Sequence, residues 1–311
     1  MNRGIAGLTL ALALALLPGC DQAPSSAAHY RVLEMLKTRD HEKALRDVNR
    51  RLEKEPKRRF LLEEKLLLLL ASADPLSRTE VVGAQLRLDA IGAGRGLLYE
   101  QSKNSLTHVR QQTAHTLGAL RDGRSKEILR DLAEDSDGEV RAEAVRALGE
   151  LREGSVKKFL YIRLHDAYWK VRAEAASALA QIDDPSATKQ LFRVVDDSDD
   201  YARMQILSAV LHLANESEAR IYLKGMESDN LPEKTAGALA MGKLQRTESI
   251  PVLLKLLKNP NTPERVQIAQ CLTGLGHPSV VAGMEPLLKV ERDARVRELF
   301  LHYLRQSAAG K

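Results

Sequence analysis

The chain has 311 residues, 44% apolar and 29% charged, enough to bury a core beneath a well-solvated surface and to build two ordinary domains or one long repeat array. A net charge of +5 is modest for this length and argues against nucleic acid as a partner, because such binders concentrate a larger basic excess. Aromatic residues are only 4%, so Leu, Ala, Val and Ile must build the core, and the pattern predicts helix rather than strand.

The N-terminus opens with a single cation, Arg3, followed by an apolar stretch from Ile5 to Leu17. That is too short to span a bilayer, which takes roughly 20 residues, and it suits the core of a signal peptide. The stretch ends in Leu17-Pro18-Gly19-Cys20, which resembles the lipobox of bacterial lipoproteins. The resemblance implies cleavage before Cys20 and a diacylglycerol on its thiol. Several acyl chains together anchor a protein stably, since each buried methylene contributes about 0.8 kcal/mol. Asp21 resembles the signal that keeps such lipoproteins on the inner membrane in enterobacteria; the outer membrane stays open. The resemblance therefore implies a signal peptide over 1–19 and, with the small polar run after it, a lipidated tether over 20–29 facing the periplasm. Cys271 is the only other cysteine, so a lipid on Cys20 leaves no intrachain disulfide.

Residues 30–100 are predicted helical. Asp40, Ala44, Val48, Leu52 and Pro56 fall on the spacing of the second half of a tetratricopeptide repeat, which this segment partly resembles. The apolar run Leu66–Ala71 reads as a buried helix.

From 104 to 306 the chain repeats. "VRAEA" occurs at Val140 and again at Val171. One constant step connects Arg110, Arg141, Arg172, Arg203, Lys234 and Arg265, and a step longer by a single position reaches Arg297. Three, seven and ten residues beyond each basic position the column is mostly apolar, as in Ala144, Leu148 and Leu151. Those offsets mark one face of a helix, and by them Ala142 and Glu143 fall off the core face. A second helix follows, with apolar pairs such as Phe159 with Leu160 and Leu256 with Leu257. Each repeat is thus a helical hairpin that cannot bury its own apolar face, so about six and a half of them must stack.

Four residues before the basic column lie Asp137, Asp199, Asn230, Asn261 and Asp293, suited to cap the first helices; Leu106 and Tyr168 break that pattern. Six before it lie Asn104, Asp135, Asp166, Asp197, Ser228, Asn259 and Glu291. These oxygens are predicted to bond the Arg column, with Arg110, Arg141, Arg172, Arg203, Arg265, Asp135, Asp166 and Asp197 forming a structural ladder. "DSDGEVRAEAVRALGEL" resembles the HEAT-like repeat, in the short form also found in phycobilin lyases. The resemblance implies an all-α, right-handed α-solenoid with second helices lining the concave side.

No nucleophile motif is present, the eight histidines do not fall at metal-ligand spacing, and no cofactor or metal is predicted. Cys271 shares a column with Ala147 and Ala178 and reads as a packed filler. Two features stand as binding candidates. Lys158, Lys189 and Arg220, with Arg193, Lys224 and Lys255 one turn on, predict a basic stripe on the second helices, with Tyr161 nearby. Tyr168 and Trp169 occupy positions where most other repeats place Asp, Asn, Gly or Thr, and Trp169 is the only Trp, a residue type suited to anchor an interface. The leading reading is a membrane-anchored, non-enzymatic scaffold that binds an envelope protein. The second is direct binding of an anionic envelope glycan or lipid by the same stripe. A lyase-like enzyme ranks below both, because no acid, base and nucleophile converge and the leader exports the chain. Cys20→Ala is expected to move the protein from the membrane fraction to the soluble fraction; a variant that stays membrane-bound overturns the lipid anchor.

Overall fold

A computed structural model describes residues 41–56, 59–71, 81, 84–86, 95–259, 262 and 264–309. The leader, the tether with Cys20 and Asp21, and the cap position Asn261 lie outside the described residues. Among the described residues every regular element is helical, and no helix is long and apolar enough to cross a membrane. The fold is an all-α solenoid of stacked hairpins. The chain divides into two compact units at Glu153 and Gly154.

The first unit contains α1 (His41–Lys54), α2 (Arg59–Ala71), α3 (Arg95–Gln101), α4 (Thr107–Ala119), α5 (Lys126–Leu132) and α6 (Gly138–Glu150). Helices α1 and α2 form a hairpin. Ala44, Val48 and Leu52 are buried on α1, and Leu61, Leu62, Leu66, Leu68 and Leu69 on α2. Lys65 on α2 donates to Asn49 Oδ1 at 2.8 Å. Helix α2 also packs on α4, which packs side by side on α6.

The second unit contains α7 (Lys157–Arg163), α8 (Trp169–Ile182), α9 (Thr188–Phe192), α10 (Asp200–Leu213), α11 (Ala219–Glu227), α12 (Leu231–Lys243), α13 (Ile250–Lys258), α14 (Arg265–Leu275), α15 (Pro278–Leu288) and α16 (Ala294–Ala309). The even-numbered members from α8 to α16 are first helices and stack in sequence, while α7, α9, α11, α13 and α15 are second helices packed against them.

The hairpin turn recurs with the repeat. Arg121, Arg152, Asp183 and Gln245 close their first helices with φ between 49° and 60°, and Gly276 does so at 61°. This left-handed conformation strains a residue that has a Cβ. A single 3₁₀ turn then precedes the second helix at Gly123–Ser125, Gly154–Val156, Pro185–Ala187, Glu216–Glu218 and Thr247–Ser249.

The first helices are buried more completely than one apolar face implies. Val140, Ala144, Ala147 and Leu148 are buried, but so are Ala142 and Val145. This corrects the placement of Ala142 off the core. Helix α6 packs against both the preceding first helix, α4, and the preceding second helix, α5, so it needs small residues on two sides. The small residues also let backbones approach closely: a Cβ at Gly118 on α4 would meet the Cβ of Ala147 on α6 at 2.6 Å.

The Arg column bonds in two directions. Arg110 Nη1 donates to the backbone carbonyl of Asn104 at 2.9 Å, in its own repeat. Its Nε and Nη2 donate to the two carboxylate oxygens of Asp135, in the next repeat, at 2.6 and 2.8 Å. Arg172 repeats this with the carbonyl of Asp166 and the carboxylate of Asp197 at 3.0, 2.6 and 2.7 Å. Arg265 bonds the Asn259 carbonyl at 2.7 Å and also the carboxylate of Glu291. The acceptor is therefore the oxygen column of the following repeat.

That carboxylate also holds its own loop. Asp135 Oδ1 accepts the Asp137 N–H and Asp197 Oδ1 the Asp199 N–H, each at 2.9 Å. Asp137 and Asp199 in turn cap α6 and α10, accepting two backbone N–H groups each. Leu106 and Tyr168 at the same position make no side-chain cap.

The ladder has a gap. Arg203 bonds the carbonyl of Asp197 and the carboxylate of Asp200, on its own helix. The next oxygen column holds Ser228, which has no carboxylate to offer and donates its hydroxyl to Glu233 at 2.6 Å. Arg141 bonds the carbonyls of Asp135 and Ser136 at 2.9 and 3.1 Å. Asp166 accepts the Tyr168 N–H at 2.9 Å.

Burial pushes the Asp197 carboxyl up, but the Arg172 and Asp199 bonds outweigh it and hold it below the ordinary carboxylate range. Its stabilisation is therefore present above the unfolded carboxylate pKa and lost as pH falls through the folded one. Asp197→Ala is expected to cost about 2 kcal/mol, because it strands a poorly solvated guanidinium. Asp200→Ala removes a partner whose side chain is 88% exposed and is expected to leave the denaturant midpoint nearly unchanged. Equal midpoints for the two variants would refute a stabilising ladder.

Candidate functional site

The predicted stripe lies entirely in the second unit, where Lys158, Lys189, Arg193, Arg220, Lys224 and Lys255 are all exposed. The second helices position them: Lys189 lies on α9 and Arg193 follows as its C-cap, while Arg220 and Lys224 lie in the first and last turns of α11. Residues four apart share a helix face. The apolar residues between them, Leu191 on α9 and Tyr222 on α11, are fully buried.

Four of the six converge. Lys189, Arg193, Arg220 and Lys224 line one open groove of about 650 Å³ between α9 and α11. Phe192, Ile221 and Gly225 also line it, as do Glu227 at the end of α11, Ser228 after it and Glu233 on α12. Gly225 makes the close approach possible, because a Cβ there would run into the Phe192 ring and lie 3.0 Å from the Glu233 carbonyl. Phe192 packs at 6.2 Å from Tyr222 with the rings tilted by 54°.

The groove's cations differ in pairing from those of the ladder and of the cross-repeat pairs. Arg172, Arg265 and Arg246 each bond a carboxylate. Lys126 with Glu153 and Lys157 with Asp184 form a second set of cross-repeat pairs. Among the described residues Lys189, Arg220 and Lys224 make no ion pair, and Arg193 bonds only the neutral Gln190, at 3.1 Å. Lys158 and Lys255 do not line the groove.

Tyr161 does not join the groove. It is half-buried, with Ser186 as its hydrogen-bond partner and Lys157 and Asp184 beside it; burial raises its phenol pKa. The residue equivalent to Arg193 in the repeat of Tyr161 is Ile162, which is 60% exposed, so the stripe lacks a cation there. Tyr168 and Trp169 also stand apart from the groove lining. Trp169 is half-buried, with Tyr168 at 5.7 Å and Tyr201 edge-on at 5.5 Å. Tyr201, 51% exposed, completes an aromatic trio that reading one repeat at a time misses. Its signal lies in the repeat spacing, which sets the start of α10 beside the start of α8.

A second charged cluster lies in the first unit. His115 Nδ1 is 2.9 Å from both Glu143 Oε1 and Arg146 Nη2. Arg146 also bonds the carboxylates of Glu143 and Glu150. His115 and Arg146 are separated by one full repeat step, so the repeat places them in one column on adjacent helices. Burial pushes Glu143 up, but the His115 and Arg146 bonds prevail and bring it down to about 2. A carboxylate so held is acceptor-only at neutral pH, and Glu143, expected off the core, is a mostly buried structural acceptor. Among the described residues, no three of His, Cys, Asp and Glu group as a metal site. The Cys271 thiol packs toward the Leu239 carbonyl, and burial pushes its pKa up to about 11.

The stabilisation from Glu143 is fully present above its ordinary value of 4.5 and disappears as pH falls from 4.5 toward 2. It corresponds to about 3 kcal/mol. Glu143→Gln is expected to lower stability at pH 7 and to flatten the acid limb of a stability-against-pH curve over that window. An unchanged acid limb would refute this role.

The HEAT-repeat family model matches residues 64–149, 96–167 and 156–242. The matches run from the middle of α2 through α12 and take in the whole groove. Among solved structures, an X-ray structure of YibA from Escherichia coli is similar, with 18% identity, a TM-score of 0.52, and coverage of 78% of this chain and 92% of that one. The CpcE–CpcF complex of phycocyanin lyase from Nostoc has 19% identity over 68% of this chain and 93% of that one, with a TM-score of 0.42. Human deoxyhypusine hydroxylase has 18% identity over 79% and 96%, with a TM-score of 0.32. At such identity the likeness to YibA extends to fold alone. No curated protein sequence matches. Since the family model accounts for more than half of the residues, this chain belongs to the HEAT-repeat family.

Proposed function

We propose that the protein is a membrane-anchored, non-enzymatic scaffold of the bacterial cell envelope, and that it binds a partner protein along the stripe of second-helix cations. The observation that carries this reading is the contrast in pairing. Cations in the ladder neutralise carboxylates inside the fold, whereas Lys189, Arg193, Arg220 and Lys224 line one groove and make no ion pair among the described residues. Like charges set together on adjacent helices repel, and an acidic surface brought against them relieves that repulsion and speeds encounter. The repeat architecture suits this role, since stacked hairpins present long surfaces for multi-point recognition. The anchor rests on the lipobox resemblance at Cys20.

The test is crosslinking in intact cells with the wild type and with a variant carrying Lys189→Glu, Arg193→Glu, Arg220→Glu and Lys224→Glu. All four side chains are exposed, so the melting curve is expected to stay close to wild type. Crosslinked partners are expected to disappear in the variant. An unchanged set of partners with an intact fold sinks the stripe as the binding surface.

A further inference from the structure

The groove between α9 and α11 has three chemical zones. Its walls are basic, with Lys189 and Arg193 on one side and Arg220 and Lys224 on the other. Its middle is apolar: Phe192 is 8% exposed, Ile221 is half-buried, and Gly225 offers no side chain. The residues that line it from the end of α11 and the start of α12 are acidic. Glu227 is exposed there, and Glu233 accepts the Ser228 hydroxyl.

This layout discriminates between kinds of anion. An anionic glycan or a phospholipid surface presents one sign of charge throughout. Over this groove it meets Glu227 and Glu233 as well as the cations, and it has no side chain for the Phe192–Ile221 floor. Like charges set against each other select against such ligands. A peptide offers carboxylates and an apolar group within a few residues. The spacing also suits one: cations four residues apart on a helix stand about 6 Å apart along its axis. Alternate side chains of an extended chain stand about 6.7 Å apart.

We propose that the groove binds an extended acidic segment of a partner protein. Alternate carboxylates lie over the cation pair of one helix. The residues between them face the other helix, and one apolar side chain among them seats on Phe192 and Ile221. The proposal rests on the protein-binding role given to the stripe above and specifies the segment that the stripe recognises.

The experiment is fluorescence anisotropy with the full chain carrying Cys20→Ala. The probe is a labelled heptapeptide that alternates Glu with Ser around a central Leu. A second peptide replaces the Leu with Ser, and phosphatidylglycerol vesicles are the third probe, read by co-sedimentation. The Leu peptide is expected to bind, and loss of its Leu to weaken binding about tenfold through the lost apolar burial. Arg220→Glu with Lys224→Glu is expected to weaken it by roughly tenfold as well. Glu227→Lys is expected to strengthen vesicle binding, since it removes the acidic end. Equal binding of the two peptides, no effect of the double reversal, or preferential binding of vesicles by the unaltered groove would each overturn the proposal. If the peptide does not bind while the fourfold reversal still abolishes crosslinks in cells, this inference fails and the scaffold reading stands. If the peptide binds as expected while crosslinks in cells are unchanged, the groove's preference for an extended acidic segment stands, and the partner-binding role of the stripe fails.

Discussion

The structure depends on one recurring bond set, in which a guanidinium at the start of a first helix ties its own loop to the next. Helix ends leave backbone carbonyls and N–H groups without partners, and in a stack of hairpins those ends crowd into narrow junctions. Arg172 resolves this with a single side chain. One nitrogen takes the Asp166 carbonyl of its own loop, and two take the Asp197 carboxylate of the following loop. Asp197 then holds the Asp199 N–H, and Asp199 caps α10. Charge, turn and cap form one connected network, repeated at Arg110 with Asp135 and Asp137 in the first unit. The planar fork of Arg suits it to this, since Lys offers a point charge without bidentate geometry.

Because the ladder takes up the junctions, the outer faces of the second helices are free to vary. The second helices need only their inward apolar residues, such as Leu160, Leu191, Tyr222 and Leu253. Their outward residues carry no packing duty, and there the chain sets cations without carboxylates. The groove forms where this freedom meets a packing detail. Gly225 lets Phe192 come close, and the space between α9 and α11 stays open above the ring. The neighbouring junction is also where the ladder lapses, with Ser228 in place of an acid and Arg203 turned to Asp200.

Much of this was legible in the sequence. The constant repeat period, the two-helix repeat and the caps at Asp137 and Asp199 follow from column chemistry, as does the involvement of the Arg column with acidic oxygens. The burial of Ala142 was not legible, because a one-face pattern counts only one neighbour while a stacked helix has two. Nor was the lapse at Arg203, although Ser228 in its column was the signal. The cations of the groove could be read from helical spacing, but their separation from Tyr161, Tyr168 and Trp169 could not. The cluster of His115, Glu143 and Arg146 was hidden for the same reason: its members belong to different repeats.

By itself the sequence determined which residues are equivalent, since a repeat fixes every position along the chain to within one helical turn. Only the tertiary structure decided which equivalent positions face each other. That the partner of an arginine is the carboxylate of the following loop, and not of its own, depends on how one hairpin lies on the next. So does the convergence of four of six stripe cations on one groove. Lateral placement is set by side-chain volumes at the contact, by Gly118 against Ala147 and Gly225 against Phe192, and a one-dimensional period carries no information about that direction.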